Sequence, residues 1–132
     1  MRKIKAYLSH AIMGVNGANA TEEYINANNK KAICMGKNLR TLIPNLSLHI
    51  PAEHEAFVHR AYTMGHLTID QILDIDCDII NGVDIVLVYN HEGQLSNGMK
   101  REIDYANKHK IPIIVFNDNV RFKDLINDIV NS

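Results

Sequence analysis

Asp84-Ile85-Val86-Leu87-Val88-Tyr89 is the stretch that decides how this chain is read. After the Asp comes an unbroken apolar run with no period-of-two alternation. Such a run reads as a strand covered on both faces, which is the mark of a parallel sheet. Downstream, residues 90–95 read as a loop and residues 96–109 as a helix, before a second buried strand over 111–116. Upstream, residues 68–81 have a strong helical period that stops at Asn81-Gly82. Further out, residues 3–9 read as a first strand, with Ile4, Ala6 and Leu8 alternating against Lys3, Lys5 and Tyr7. A loop follows over 10–19. Thr21-Glu22-Glu23 opens a long helix to about Leu42, with Ile25, Ala32, Cys34, Met35 and Leu39 on its apolar side. Pro44-Asn45 ends it. Residues 46–50 form a short strand, 51–65 a helix carrying Ala56, Phe57, Val58 and Tyr62, and 121–130 a last helix. Strands alternating with helices predict an α/β fold, a small doubly wound parallel sheet of Rossmann or flavodoxin type with helices on both faces. One domain spans 1–132. Ligands of such sheets bind beyond the carboxyl ends of the strands, at loops starting here at Ser9, Pro51 and Asn90.

At 132 residues the chain can bury one sizeable core. Its formal charge of -1 comes without a basic run or an acidic tail, so neither a nucleic-acid polymer nor an anionic membrane is expected as a partner. No apolar run approaches a membrane span, and Met1-Arg2-Lys3-Ile4-Lys5 lacks a signal-peptide core. A cytoplasmic location, in a bacterium or a phage-infected cell, is expected. Cys34 and Cys77 are expected to be buried, reduced thiols.

Two carboxylates stand where apolar residues belong. On the helix over 96–109, Met99, Ile103 and Ala106 form the inward stripe. Glu102 falls inside it, three residues after Met99 and four before Ala106. Ser96 can cap this helix, and Gly98 leaves room near its backbone. Lys100, Arg101, Asp104 and Lys108 take the outer face. On the helix over 68–81, Ile69, Ile72, Leu73, Ile79 and Ile80 mark the inward face, and Asp76 lies among them. Asp74 and Asp78 point away with Gln71 as solvated charges. An inward carboxylate must be paired, hydrogen-bonded or at work. Two of them form a candidate pair for acid–base or nucleophilic chemistry, or else two buried structural partners.

Other motifs are weaker. Gly14-Val15-Asn16-Gly17 sits between a strand and a helix, where a phosphate cradle or a plain turn would sit. It matches neither a dinucleotide fingerprint nor a Walker loop. His54 and His59 are five apart, so they diverge on a helix and do not make a zinc pair. Asp74-Ile75-Asp76-Cys77-Asp78 lacks the glycine of a calcium loop and has Ile85 where its distal Glu belongs. No metal site and no cofactor are expected.

Four segments together resemble the nucleoside 2-deoxyribosyltransferase superfamily. They are Tyr7-Leu8-Ser9-His10-Ala11-Ile12, the pair Glu53-His54, Asp76 placed eight residues before Asp84, and Ser96-x-Gly98-x-x-x-Glu102. Within it they look most like the 2'-deoxynucleoside 5'-phosphate N-hydrolase branch. The resemblance implies that Glu102 attacks C1', that Asp76 protonates the departing base and that Tyr7 holds Glu102. It also implies a substrate pocket drawn from Ser9, His10, Ala11, Ile12, Gly14, Asn16, His54, Asn90, Ser96, Gly98 and Met99, and a homodimer or higher homo-oligomer whose partner closes each site. Ser96 stands where the transferases have an Asp for the sugar 5'-hydroxyl, which implies a nucleoside monophosphate substrate. In that branch the first loop carries Ser and Arg, where this chain has Ala11 and Met13. Gly14, Asn16 or Lys100 would then have to serve the phosphate. The expected activity is N-glycosidic cleavage of (2'-deoxy)nucleoside 5'-monophosphates. The alternatives are a base-exchanging deoxyribosyltransferase and a non-catalytic nucleotide binder.

Overall fold

The computed structural model describes residues 2–132; Met1 and the side chains of Val15 and Ala18 lie outside the described residues. The chain runs β1 (Ile4–His10), α1 (Glu22–Leu42), β2 (Leu46–His49), α2 (Glu55–Thr63), α3 (Ile69–Ile80), β3 (Ile85–Tyr89), α4 (Asn97–Lys108), β4 (Ile113–Phe116) and α5 (Phe122–Val130). Short 3-10 turns occupy Gly14–Asn19 and Pro51–His54. Among the described residues the strands form one parallel sheet in the order β2-β1-β3-β4. The α/β doubly wound architecture is therefore what the alternating pattern predicts.

The two central strands are apolar on both sides, and their side chains divide by parity. Ala6, Leu8, Ile85 and Leu87 pack with Ala32, Met35 and Leu39 of α1 and with Leu125 and Ile129 of α5. Tyr7, Val86 and Val88 face the other way, onto Ile80 of α3 and Met99 and Ala106 of α4. Three helix starts carry a side-chain cap. Thr21 caps α1. Thr68 and Gln71 make a reciprocal capping box on α3. Ser96 caps α4, accepting from the Met99 N–H at 3.3 Å. Gly36 lets α1 settle on the end of β2, because a Cβ there would run into Ile50.

Several local readings change. The first strand is not half-solvated: Tyr7 is fully buried, since β1 is central and has a helix layer on each side. The last strand starts at Ile113 and lies at the sheet edge, so its Val115 is 59% exposed. Cys34 is exposed, while Cys77 is buried, and both are free thiols. Asn28 and Asn29 take the buried positions on α1 instead. Residues 10–19 are not an open loop, because much of the segment winds into a 3-10 turn kinked at Gly17. Residues 51–65 are not one helix: a 3-10 turn precedes α2, and no residue of α2 is buried. Asp74 is more than a solvated charge, since it and Asp70 pair with Arg101 across the α3–α4 seam. Among the described residues, no helix is long and apolar enough to cross a membrane.

The strand order places the topological switch between β1 and β3. From β1 the chain winds outward to β2, then returns across it to β3. The crevice beyond their carboxyl ends is where such a sheet can take a ligand.

Candidate active site

A cavity of about 330 Å³ opens at that switch point. Its floor is the end of β1 and the start of α4. Its outer half is a slot between α2 and α3.

Glu102 lies at the floor. It is only 6% exposed, carried inward by the α4 face that also buries Met99 and Ala106. Two hydroxyls reach it from β1, 95 and 93 residues away in sequence: the Tyr7 O–H donates to one carboxylate oxygen and the Ser9 Oγ–H donates to the other at 2.8 Å. They come from the same face of β1, since Tyr7 and Ser9 are two residues apart. Tyr7 is braced from behind by a stack in which its ring lies 5.4 Å from His49 and His49 lies 5.2 Å from His54. Arg40 in turn clamps Glu53 at 2.7 Å and the Leu48 carbonyl, fixing the turn that carries His54.

Asp76 lines the same cavity from α3. Its neighbours in sequence, Ile69, Ile72 and Leu73, line the cavity as well. The face read as core is thus partly a cavity wall, which is why Ile69 is 44% exposed.

Burial pushes the Glu102 carboxyl up to about 8, opposed by the Tyr7 and Ser9 hydrogen bonds and reinforced by Asp76. Burial likewise raises Asp76 to about 6, with Glu55 adding to the rise and Tyr7 opposing it. The pair titrates as a unit and holds a proton near neutrality. Both hydroxyl donors point at Glu102, so cationic charge developing above it would leave Glu102 the anion and Asp76 the acid. The Tyr7 hydroxyl is raised by its own burial and by both carboxylates, so it stays a proton donor.

His10 also lines the cavity but is spoken for. Its Nδ1 contacts the Ala11 carbonyl at 3.1 Å, and its Nε2 accepts from the Ala52 N–H at 3.2 Å. That pairing fixes a neutral tautomer, and burial lowers its pKa to about 4. It ties the β1 loop to the turn after β2 and is not a cation in the site.

The other sequence candidates divide. Ile12, Gly14, Ser96, Gly98 and Met99 line the cavity. Tyr7 and Ser9 stand behind Glu102, and Ala11 is buried. Asn16 is exposed, Lys100 is exposed, and neither is part of the lining. His54 reaches the site through its stack, and Asn90 is not part of the cavity wall. Gly14 and Gly17 both have positive φ, at 63° and 52°, which a side chain would strain. A Cβ on Gly14 would also strike the Tyr24 hydroxyl and the Glu92 carboxylate. Asn28 holds this turn by donating to the Ile12 carbonyl at 2.9 Å, and its own carbonyl meets His91 at 3.0 Å.

Glu55, Val58, His59 and Tyr62 were not among the site residues expected from the sequence, yet all four line the cavity. Their spacing, one helical face of α2, was the available signal. Among the described residues, no three His, Cys, Asp or Glu side chains converge to hold a metal ion. No family model, no curated protein and no solved structure matches this chain.

Proposed function

We propose that this chain is an N-glycosidase that cleaves (2'-deoxy)nucleoside 5'-monophosphates to free base and sugar 5-phosphate. The observation that carries the reading is Glu102, a buried carboxylate gripped by two hydroxyl donors at the floor of a switch-point cavity, with a second carboxylate, Asp76, in the same cavity. Glu102 attacks C1' and forms an ester bond to it. The C1'–N bond breaks, its electron pair leaves with the base, and Asp76 supplies the base with a proton. Water then attacks C1', Asp76 takes the water's proton, and Glu102 leaves with the ester's electron pair. The anomeric configuration is retained. The Ser96 hydroxyl and the amides at the start of α4 offer donors to the 5'-phosphate.

One observation favours a second reading, a deoxyribosyltransferase that exchanges bases on uncharged nucleosides. Among the described residues no Lys or Arg lines the cavity, while Glu55, Asp76 and Glu102 do. A phosphate gains most from a fixed cation, and a 5'-hydroxyl needs none. In either case the site works with a second copy of the chain closing it, as the resemblance implies, and Ile69 on the cavity wall is exposed; sedimentation of a monomer alone would contradict that part.

The test is base release from the common ribo- and deoxyribonucleoside monophosphates, followed by chromatography, with the parent nucleosides and an added acceptor base run beside them. Base released from monophosphates and lost by at least about 10³-fold in Glu102→Ala is the expected result. A new nucleoside formed only with acceptor base selects the transferase. Ligand-induced stabilisation without product in any arm would reduce the protein to a binder.

A further inference from the structure

The outer half of the cavity has a construction that the reaction alone does not require. Two helices face each other across it with the same i, i+3, i+4, i+7 pattern. On α2 the positions are Glu55, Val58, His59 and Tyr62; on α3 they are Ile69, Ile72, Leu73 and Asp76. The apolar members make a slot of the kind that takes a planar ring. Each wall contributes one carboxylate. Asp76 and Glu55 are close enough for Glu55 to raise Asp76.

Glu55 has no structural duty that explains its place. Among the described residues, no side chain donates a hydrogen bond to it and no cation forms an ion pair with it at 4 Å or less. It is half-buried, and that burial raises its carboxyl while His59 opposes the rise. Its position in the first turn of α2 favours the anion, since the helix dipole is positive there. An ionised carboxylate only accepts hydrogen bonds. The Glu102–Asp76 pair holds a proton near neutrality, and with that proton on Asp76 its carboxyl donates.

We propose that Glu55 is a specificity-determining residue, accepting a hydrogen bond from an exocyclic amino group of the base while Asp76 donates to the adjacent ring acceptor. The inference rests on the N-glycosidase reading of the same site. Adenine presents such a pair, an acceptor N7 beside the 6-amino donor, whereas a 6-oxopurine presents two acceptors. An oxo group facing Glu55 leaves two acceptors opposed in a half-desolvated slot, and that repulsion does the discriminating. Cytosine over uracil follows by the same logic.

The experiment compares kcat/KM for 2'-deoxyadenosine with 2'-deoxyinosine, each also as its 5'-monophosphate, on the wild type and on Glu55→Gln. The glutamine keeps the shape and can both donate and accept. Wild type is expected to favour the 6-amino substrate by roughly tenfold or more. In the variant the two substrates should converge to within about threefold, with the 6-oxo substrate improving in absolute terms. That gain is one a merely structural defect would not produce. Equal use of both substrates by the wild type, or a preference that survives in the variant, overturns the role of Glu55 and leaves the reaction class standing. If no substrate releases base, the reaction reading fails. Calorimetry with the same two nucleosides on both proteins then decides: a 6-amino preference lost in the variant supports the inference, while equal binding or none overturns it.

Discussion

At the residue scale the site turns on one carboxylate placed against its own solvation. Glu102 stays in the fold because Tyr7 and Ser9 donate to it and because Met99 and Ala106 on either side supply the burial. Tyr7→Phe keeps the ring stacked on His49 but removes the O–H. Turnover should fall roughly 10²-fold with little change in melting temperature, as for loss of a single buried donor to a reacting group. A fall in stability with unchanged turnover would assign Tyr7 to packing alone. Glu102 also carries a pH signature. Its folded-state pKa, about 8, lies above the ordinary carboxylate value. The fold therefore favours the protonated form, and this contribution is fully present below the unfolded-state value and lost as pH rises through about 8. Glutamine does not titrate. Glu102→Gln should melt above wild type at pH 9, and the gap should shrink as the pH is lowered toward 5. Thermal unfolding at both pH values checks this, and a constant gap would contradict it.

At the element scale the site is a product of helix starts. Ser96 begins α4 so that Glu102 arrives about one and a half turns in, on the inward face. Thr68 and Gln71 begin α3, and Asp76 follows two turns later on the cavity side. Thr68→Ala removes the hydroxyl half of that capping box and should cost about 1 kcal/mol of stability, read from urea unfolding. The turn Gly14–Asn19 is the less forgiving element. Gly14 combines a positive φ with contact against Tyr24 and Glu92. Gly14→Ala should cost roughly 1–2 kcal/mol and raise KM more than it lowers kcat, because the turn lines the cavity without touching Glu102. An unchanged KM would mean the turn does not meet substrate.

At the scale of the whole molecule the sheet does the assembling. β1 and β3 pair from Ala6 with Ile85 to His10 with Tyr89, so the hydroxyls of one strand end and the α4 helix leaving the other meet at one point. Leu87 sits in the middle of β3, fully buried among α1 and α5 contacts. Leu87→Ala should destabilise the fold by about 2–5 kcal/mol. Because Leu87 faces away from Glu102, the folded fraction should keep its kcat at low temperature. A large kcat loss in a folded variant would show that the two sides of the sheet are coupled.

Much of this molecule was legible in its residues. The continuous apolar run of β3 and the helical periods of α3 and α4 are short-range patterns, and so are the caps at Thr68 and Ser96. A sequence carries them without knowing its partners. The same periodicity exposed Glu102 and Asp76 as carboxylates out of place. By itself, then, the sequence determined the element order, the parallel sheet and two inward acids. It could not tell a core wall from a cavity wall, since Ile69, Ile72 and Leu73 are apolar in either case. Nor could periodicity alone give the two hydroxyl grips on Glu102, which cross more than ninety residues of chain. The tertiary structure alone decided that no residue of α2 is fully buried and that Glu55 reaches the cavity that holds Asp76. Periodicity records which face of an element avoids water; what that face meets is set by the packing of elements far apart in the chain.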